Sequence, residues 1–470
     1  MVNGEVRPHT SPTSVVITKS PSVLVGPATA PPAAARHITL SSFDKALAFF
    51  PVKSYHVFIR AIHEPAETVR RALSRALVHY YPLAGRLVVA DDGDGDGELR
   101  IACTGEGVAF VAASADRSLA DVRLLDPPFG PALLTELAVG IGGGGGGLFR
   151  PLADPLLLVQ VTEFACGGFV VGVTRNHAAA DGTGFAQFMR AVGELARGAP
   201  RPAVLPVSCG DRDLPALPPR VAAMERKLLT LPPRDFAYLD VTVPSGCISR
   251  IKAGYFESAG GGDEDGGGPC TVFEAVMAVL WQSRTRAVMT DPAAPAPLVF
   301  AANVRRLVGA REGYYGNCIT SAVVVPTSGE VASGTIHDVV RLIKRAKRPI
   351  PLQFRKKKKN RDVAGEEEEG QGDDGVSSTV EAAPPLADDD EVMFGYNALD
   401  VTSWRNLGAD AVDLGGGRPA RVMCVMDRLF VPHCVACLPS AGKDGANVLA
   451  RCVREEHVDA FLAEMTATTL

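Results

Sequence analysis

The sequence predicts a mixed α/β protein in two domains, and three observations carry that expectation. The chain has 470 residues, more than one hydrophobic core comfortably serves. Val-rich apolar runs of strand length alternate with segments whose apolar residues recur at helical spacing. Residues 199–235 are rich in proline and arginine, with Leu-Pro-Pro-Arg at Leu217–Arg220 and again at Leu231–Arg234. Such a stretch reads as an extended connection rather than a packed element. The expected division is therefore 1–198, a crossover over 199–235, and 236–470.

Taken in order, Val15–Val25 has strand character interrupted by Pro21, and Tyr55–Ile59 alternates like a strand. Pro65 opens a helix whose apolar face is Val69, Ala72, Leu73, Ala76, Leu77 and Tyr80. Tyr81–Leu87 ends it and starts another strand, and Asp91–Gly97 is an exposed turn that lacks the spacing of a calcium loop. Gly142–Gly147 is a run of glycines expected to be a flexible loop. In the second half, Leu239–Val243 is a strand and Thr271–Glu274 fits a capping box ahead of a helix. Pro297–Val304 and Cys318–Val325 are strands on either side of a turn at Gly313–Asn317, and Ile336–Ala346 is an amphipathic helix. Residues 355–391 set a lysine block against acidic blocks with almost no apolar content, which predicts a disordered insertion. Arg421–Cys437 alternates through further strands, and a terminal helix carries Val458, Phe461, Leu462 and Met465.

Hydrophobic content of 46% and charged content of 21% suit a soluble globular protein. A formal net charge of −5 gives no electrostatic case for nucleic acid. The N-terminus lacks the apolar core of a secretory signal, and no apolar run approaches the roughly 20 residues that span a bilayer. The ten cysteines are scattered and mostly lie in strand-like surroundings, as small hydrophobes in a reducing compartment do. The expectation is a cytoplasmic protein. Cys434-Val435-Ala436-Cys437, next to His433, is a lone pair with no second pair at zinc spacing, so no metal site is expected.

The chemistry concentrates between Leu156 and Gly198. Leu156–Phe164 and Phe169–Thr174 flank Cys166-Gly167-Gly168 and read as strand, tight turn and strand, buried on both faces. The second strand stops on Asn176-His177-Ala178-Ala179-Ala180-Asp181-Gly182, and Phe185, Phe188, Met189, Val192 and Leu195 then fall on one helix. His177 thus sits where a buried strand meets a helix, between small residues that leave room for a substrate. Neutral imidazole there can act as a general base. The alternative is a histidine hydrogen-bonded inside a core, with Asp181 capping the next helix. No Gly-x-Ser-x-Gly elbow, P-loop or dinucleotide fingerprint competes with it.

His177–Gly182 resembles the HxxxDG motif of the plant BAHD acyl-CoA-dependent acyltransferases. Asp413-Leu414-Gly415-Gly416-Gly417 resembles a degenerate form of their DFGWG motif, and Leu40–Asp44, Tyr80–Arg86, Asn303–Arg305, Tyr315–Asn317 and Thr402–Trp404 resemble further family segments. The resemblance implies two chloramphenicol-acetyltransferase-like α/β domains joined by a crossover loop, with a solvent channel between them. It implies a monomer with no bound cofactor that uses acyl-CoA as co-substrate and a small alcohol or amine as acceptor. His177 would deprotonate the acceptor, while Thr402 and Trp404 would lie beside it and serve the oxyanion. Asp181 would turn away and pair with Arg305, and Asp413, Gly415 and Gly417 would support a loop. Gly182 would occupy a place of close backbone approach. Residues 154–198 look nearest to members using benzoyl or hydroxycinnamoyl donors. Two departures, Arg175 in place of an apolar residue and the altered Asp413–Gly417 loop, keep open a member that binds CoA esters without turning them over. A hydrolase in which His177 activates water is a third reading.

Overall fold

The computed structural model describes residues 15–30, 37–90, 98–125, 130–141, 148–207, 214–258, 268–354, 390–426 and 428–469. The expected turn at Asp91–Gly97, the Gly142–Gly147 run and most of the charged insertion lie outside them.

The first half carries the strands β1 (Ile17–Lys19), β2 (Val23–Val25), β3 (His37–Thr39), β4 (Pro51–Phe58) and β5 (Arg86–Ala90). They are followed by β6 (Glu98–Ala102), β7 (Val108–Ala115), β8 (Leu157–Phe164) and β9 (Phe169–Asn176). Its helices are α1 (Ser42–Ala46), α2 (Pro65–His79), α3 (Pro131–Glu136) and α4 (Gly182–Ala196). The second half contributes β10 (Leu239–Val243), β11 (Leu298–Asn303), β12 (Ile319–Val324), β13 (Leu399–Ser403), β14 (Arg421–Val425), β15 (His433–Cys437) and β16 (Ala446–Arg451). Among its helices are α5 (Pro219–Leu228), α6 (Ser245–Ser258), α7 (Val272–Val288), α8 (Arg305–Val308), α9 (Ser328–Ser333) and α10 (Ile336–Lys347). The last two are α11 (Asp390–Phe394) and α12 (Val458–Thr469).

The strands form two large sheets and a small one. The first runs β1-β7-β8-β9-β4-β14 with β2 also on β7, the second β10-β16-β15-β13-β11-β12, and the third β3-β6-β5. Within the first, β7 and β8 are parallel, whereas β8, β9 and β4 are successively antiparallel. Every residue of β4 and β9 is buried, as the Val-rich run of β9 leads one to expect, and β4 buries Lys53, Ser54 and His56 along with its apolar residues. One face of this sheet packs on α2 and α4 through Val69, Leu73, Phe185, Phe188 and Val192. The second sheet packs against α6, α7, α10 and α12, with Trp281 at the centre of α7 fully buried. The capping box read at Thr271–Glu274 is formed, each side chain bonding the other residue's backbone N–H.

Two features depart from the sequence expectation. The Pro-rich stretch is not extended throughout: Pro219 stands at the first helical position of α5, where its missing N–H costs nothing, and Val221 and Ala222 bury against the second core. The two sheets also do not partition the chain cleanly. β14, from the second half, pairs antiparallel with β4 and forms an edge of the first sheet.

Candidate active site

Strand β9 ends on Asn176, and His177–Ala179 make one tight 3₁₀ turn before Asp181 caps α4. The turn is pinned to the entry of β4. The His177 N–H donates to the Phe50 carbonyl at 2.9 Å, and the Asn176 side-chain oxygen accepts from Ala178 at 2.9 Å and Phe49 at 3.2 Å. Phe49 itself has φ of +73°, a left-handed conformation that costs a bulky residue energy and is tolerated where surrounding bonds enforce it.

The imidazole is oriented by Asn317, from the turn before β12. His177 Nδ1 lies 3.0 Å from Asn317 Oδ1. The Asn317 side-chain amide nitrogen already donates to Asp44 Oδ1 at 2.8 Å and to the His177 carbonyl at 2.9 Å. Its oxygen therefore accepts, Nδ1 carries the hydrogen, and Nε2 is left with the lone pair. Asp44 anchors the arrangement: Oδ1 also accepts from the Asn317 backbone at 2.9 Å, and Oδ2 accepts from the Ser41 N–H and hydroxyl. Burial pushes the Asp44 carboxyl up to about 6 against these hydrogen bonds. His177 keeps partial exposure, yet loss of hydration, reinforced by the Arg175 guanidinium, pushes its pKa down to about 4. At neutral pH the ring is uncharged, the form a general base needs.

Asp181 does not join this row. Its carboxylate takes Arg305 in a two-pronged pair, both contacts at 2.7 Å, and accepts from Gly184 N and Cys318 N. Arg305 also donates to the Gly316 carbonyl at 2.7 Å, so the pair ties the His177 turn to the turn that presents Asn317. At the far end of α4, Asp413 Oδ1 accepts from Gly415 and Gly417 N–H, and both glycines hold positive φ. Arg197 bonds the Asp413 carbonyl, fastening this loop to the helix. Gly182 faces side chains: a Cβ there would come within 2.5 Å of Leu407 Cδ1. The closest backbone approach belongs to Gly184, where a Cβ would overlap the Tyr315 carbonyl. Trp404 contacts this neighbourhood, its ring 6.4 Å from Phe185, and Thr402 Oγ1 lies 3.3 Å from His433 Nε2.

A model of the Transferase family matches residues 15–468. The chain is 41% identical to acyl transferase 15 of Oryza sativa subsp. japonica, over 97% of this chain and 100% of the relative. It is 34% identical to myricetin 3-O-glucosyl 1,2-rhamnoside 6'-O-caffeoyltransferase AT1 of Crocosmia x crocosmiiflora, over 97% and 100%. The chain belongs to this family, the BAHD acyltransferases. The fold agrees: vinorine synthase superposes with a TM-score of 0.69 at 17% identity, covering 96% of this chain and 98% of that one. F. sporotrichioides TRI101, solved with coenzyme A and T-2, gives 0.63 at 17% identity, covering 92% and 98%.

In this BAHD acyltransferase the sequence reading singled out His177, Asp181 and Arg305 but gave no role to Asn317 or Asp44. Both stood in segments noted for resemblance, Tyr315–Asn317 and Leu40–Asp44, and that was the available signal. Arg175 points inward and is 1% exposed, its guanidinium carbon 4.4 Å from the Phe185 ring centre and 5.2 Å from that of Trp404. Among the described residues no cluster of His, Cys, Asp or Glu is arranged to hold a metal ion, and no helix is long and apolar enough to cross a membrane.

Proposed function

We propose that this acyltransferase moves an aromatic acyl group, benzoyl or hydroxycinnamoyl, from a CoA thioester to a hydroxyl or amine of a plant specialised metabolite. The observation that carries the reading is the His177–Asn317–Asp44 row, which fixes the tautomer that exposes the Nε2 lone pair. In the proposed step, Nε2 takes the acceptor proton as the acceptor oxygen or nitrogen attacks the thioester carbonyl. Trp404 and Thr402 serve the tetrahedral oxyanion. Collapse expels the CoA thiolate, which recovers the proton from His177, so no acyl-enzyme forms. The donor class is supported by the caffeoyltransferase relative and by benzyl alcohol O-benzoyltransferase of Petunia hybrida, 32% identical over 62% of each chain. Domains at 1–198 and 236–470, joined by 199–235 and enclosing a channel, together with a cytoplasmic monomer, complete the proposal.

Purified protein is mixed with benzoyl-, p-coumaroyl-, acetyl- and malonyl-CoA and a pool of alcohols and amines, and free thiol is followed. Acceptor-dependent thiol release with the aromatic esters, lost by at least about 10³-fold in His177→Ala, is expected. Turnover with acetyl- or malonyl-CoA alone would overturn the aromatic-donor assignment. Acid release without any acceptor would favour hydrolysis instead.

A further inference from the structure

The Arg175 side chain makes no hydrogen bond or ion pair with any described residue, and its Nε and Nη1 are both buried without a partner. Two neighbours on the sheet share this state: the Ser54 hydroxyl and both ring nitrogens of His56. Strand register places the three together. Arg175 pairs with Val52, and Val173 and Val171 pair with Ser54 and His56, so residues 171, 173 and 175 share one face with 52, 54 and 56. It is the face on which Phe185 and Trp404 contact the guanidinium. The Asp181 carboxylate attracts Arg175 through space but offers it no hydrogen bond, because both its oxygens are taken by Arg305 and backbone N–H groups. A guanidinium, a hydroxyl and an imidazole, all able to donate and all lacking an acceptor, leave a net demand for anionic oxygen.

Arg175, the end of the cluster nearest His177, also acts on the imidazole electrostatically. Arg175 stands two residues before His177 along the strand, a rise of about 7 Å. We infer that Arg175, completed by His56 and Ser54, is a subsite for a carboxylate on the substrate that His177 acts upon. Arginine suits this task because it stays charged when desolvated and presents donors in a planar fork that matches a carboxylate. The aromatic rings of Phe185 and Trp404 hold the cation in place while the subsite is empty. This inference rests on the acyl-transfer reading and narrows it: the acceptor carries its hydroxyl or amine a few bonds from a carboxylate. The same chemistry arriving on the acyl chain is the other source, and the experiment separates the two.

Equilibrium binding is measured calorimetrically at pH 7.5 for mandelate and 3-(4-hydroxyphenyl)propanoate, each beside its methyl ester. A second arm compares malonyl-CoA with acetyl-CoA. The expected result is that the wild-type enzyme binds at least one acid about tenfold or more tightly than its ester, and that Arg175→Met brings this ratio close to one. Arg175→Lys, which keeps the charge and guards against a variant that fails to fold, retains part of the preference. A preference confined to malonyl-CoA and lost in Arg175→Met supports the subsite and assigns it to the donor. Equal binding of acids and esters in both arms, or a preference that survives Arg175→Met, overturns the inference. Binding needs no turnover, so a failure of the thiol-release assay is read separately.

Discussion

The hydrogen bond between His177 and Asn317 makes two predictions about rate. Asn317→Leu removes the acceptor that holds Nδ1–H and the side-chain donor to Asp44, which keeps the residue-317 backbone N–H and its Ser41 contacts. We expect kcat to fall about 10²-fold with KM changed little, because the ring remains present but no longer held in the reactive tautomer and orientation. Steady-state kinetics check this; an equal loss in kcat for Asp181→Asn alone would point to general damage. The pH profile is the second prediction. With its pKa lowered to about 4, the folded-state imidazole binds its proton only as pH falls through that value. The acid limb of kcat/KM should therefore lie near 4 rather than near the ordinary 6.5, with a flat region above it. A limb at 6 or higher would contradict the buried setting. His177 was legible in the sequence because a strand end, small neighbours and the following helix surround it locally. Asn317 was not, because its value to His177 comes from a contact across 140 residues that no local pattern encodes.

At the scale of elements, α4 acts as a rigid bar with the His177 turn and Asp181 at one end and the Asp413 loop at the other. Gly184 within it and Gly198 just beyond its end differ in what a side chain would meet. A methyl at Gly184 would overlap the Tyr315 carbonyl, a backbone atom that cannot rotate away, whereas Gly198 has open space and only its φ of +92° to resist change. Gly184→Ala should lower stability by about 1–3 kcal/mol and reduce activity through the displaced Tyr315–Asn317 turn. Gly198→Ala should cost about 1 kcal/mol and leave turnover alone. Urea unfolding with parallel assays separates them, and equal behaviour of the two variants would refute the docking argument. The helix and its cap were readable from periodicity and from Asp181 before Gly182. Which glycine is pressed against backbone was not, since that depends on how the helix is rotated against Tyr315. The helix at Pro219 was missed for a related reason: proline reads as a breaker, yet at the first turn it is compatible with a helix.

For the molecule as a whole, the question is whether two sheets make two folding units. The exchanged strand argues that they do not. β14 sits on β4 in the first sheet, while its Arg421 reaches Asp240 on β10 of the second at 2.5 Å and Asn447 on β16 at 3.0 Å. The same guanidinium donates to the Leu124 carbonyl at 2.9 Å, so one buried side chain joins three segments. The Asp181–Arg305 and His177–Asn317 contacts cross between the halves as well. Arg421→Met leaves the Asp240 carboxylate buried without its cation and should cost about 3–5 kcal/mol. The two tryptophans offer independent reports, because Trp281 lies in the core of the second sheet and Trp404 in that of the first. Trp281→Phe and Trp404→Phe backgrounds isolate each signal. If the shared network makes the protein one cooperative unit, Arg421→Met shifts both transitions by the same amount. Transitions that separate in the parent protein would show two independently folding halves, and the candidate site at His177 would then lie at a joint able to open while each half stays folded.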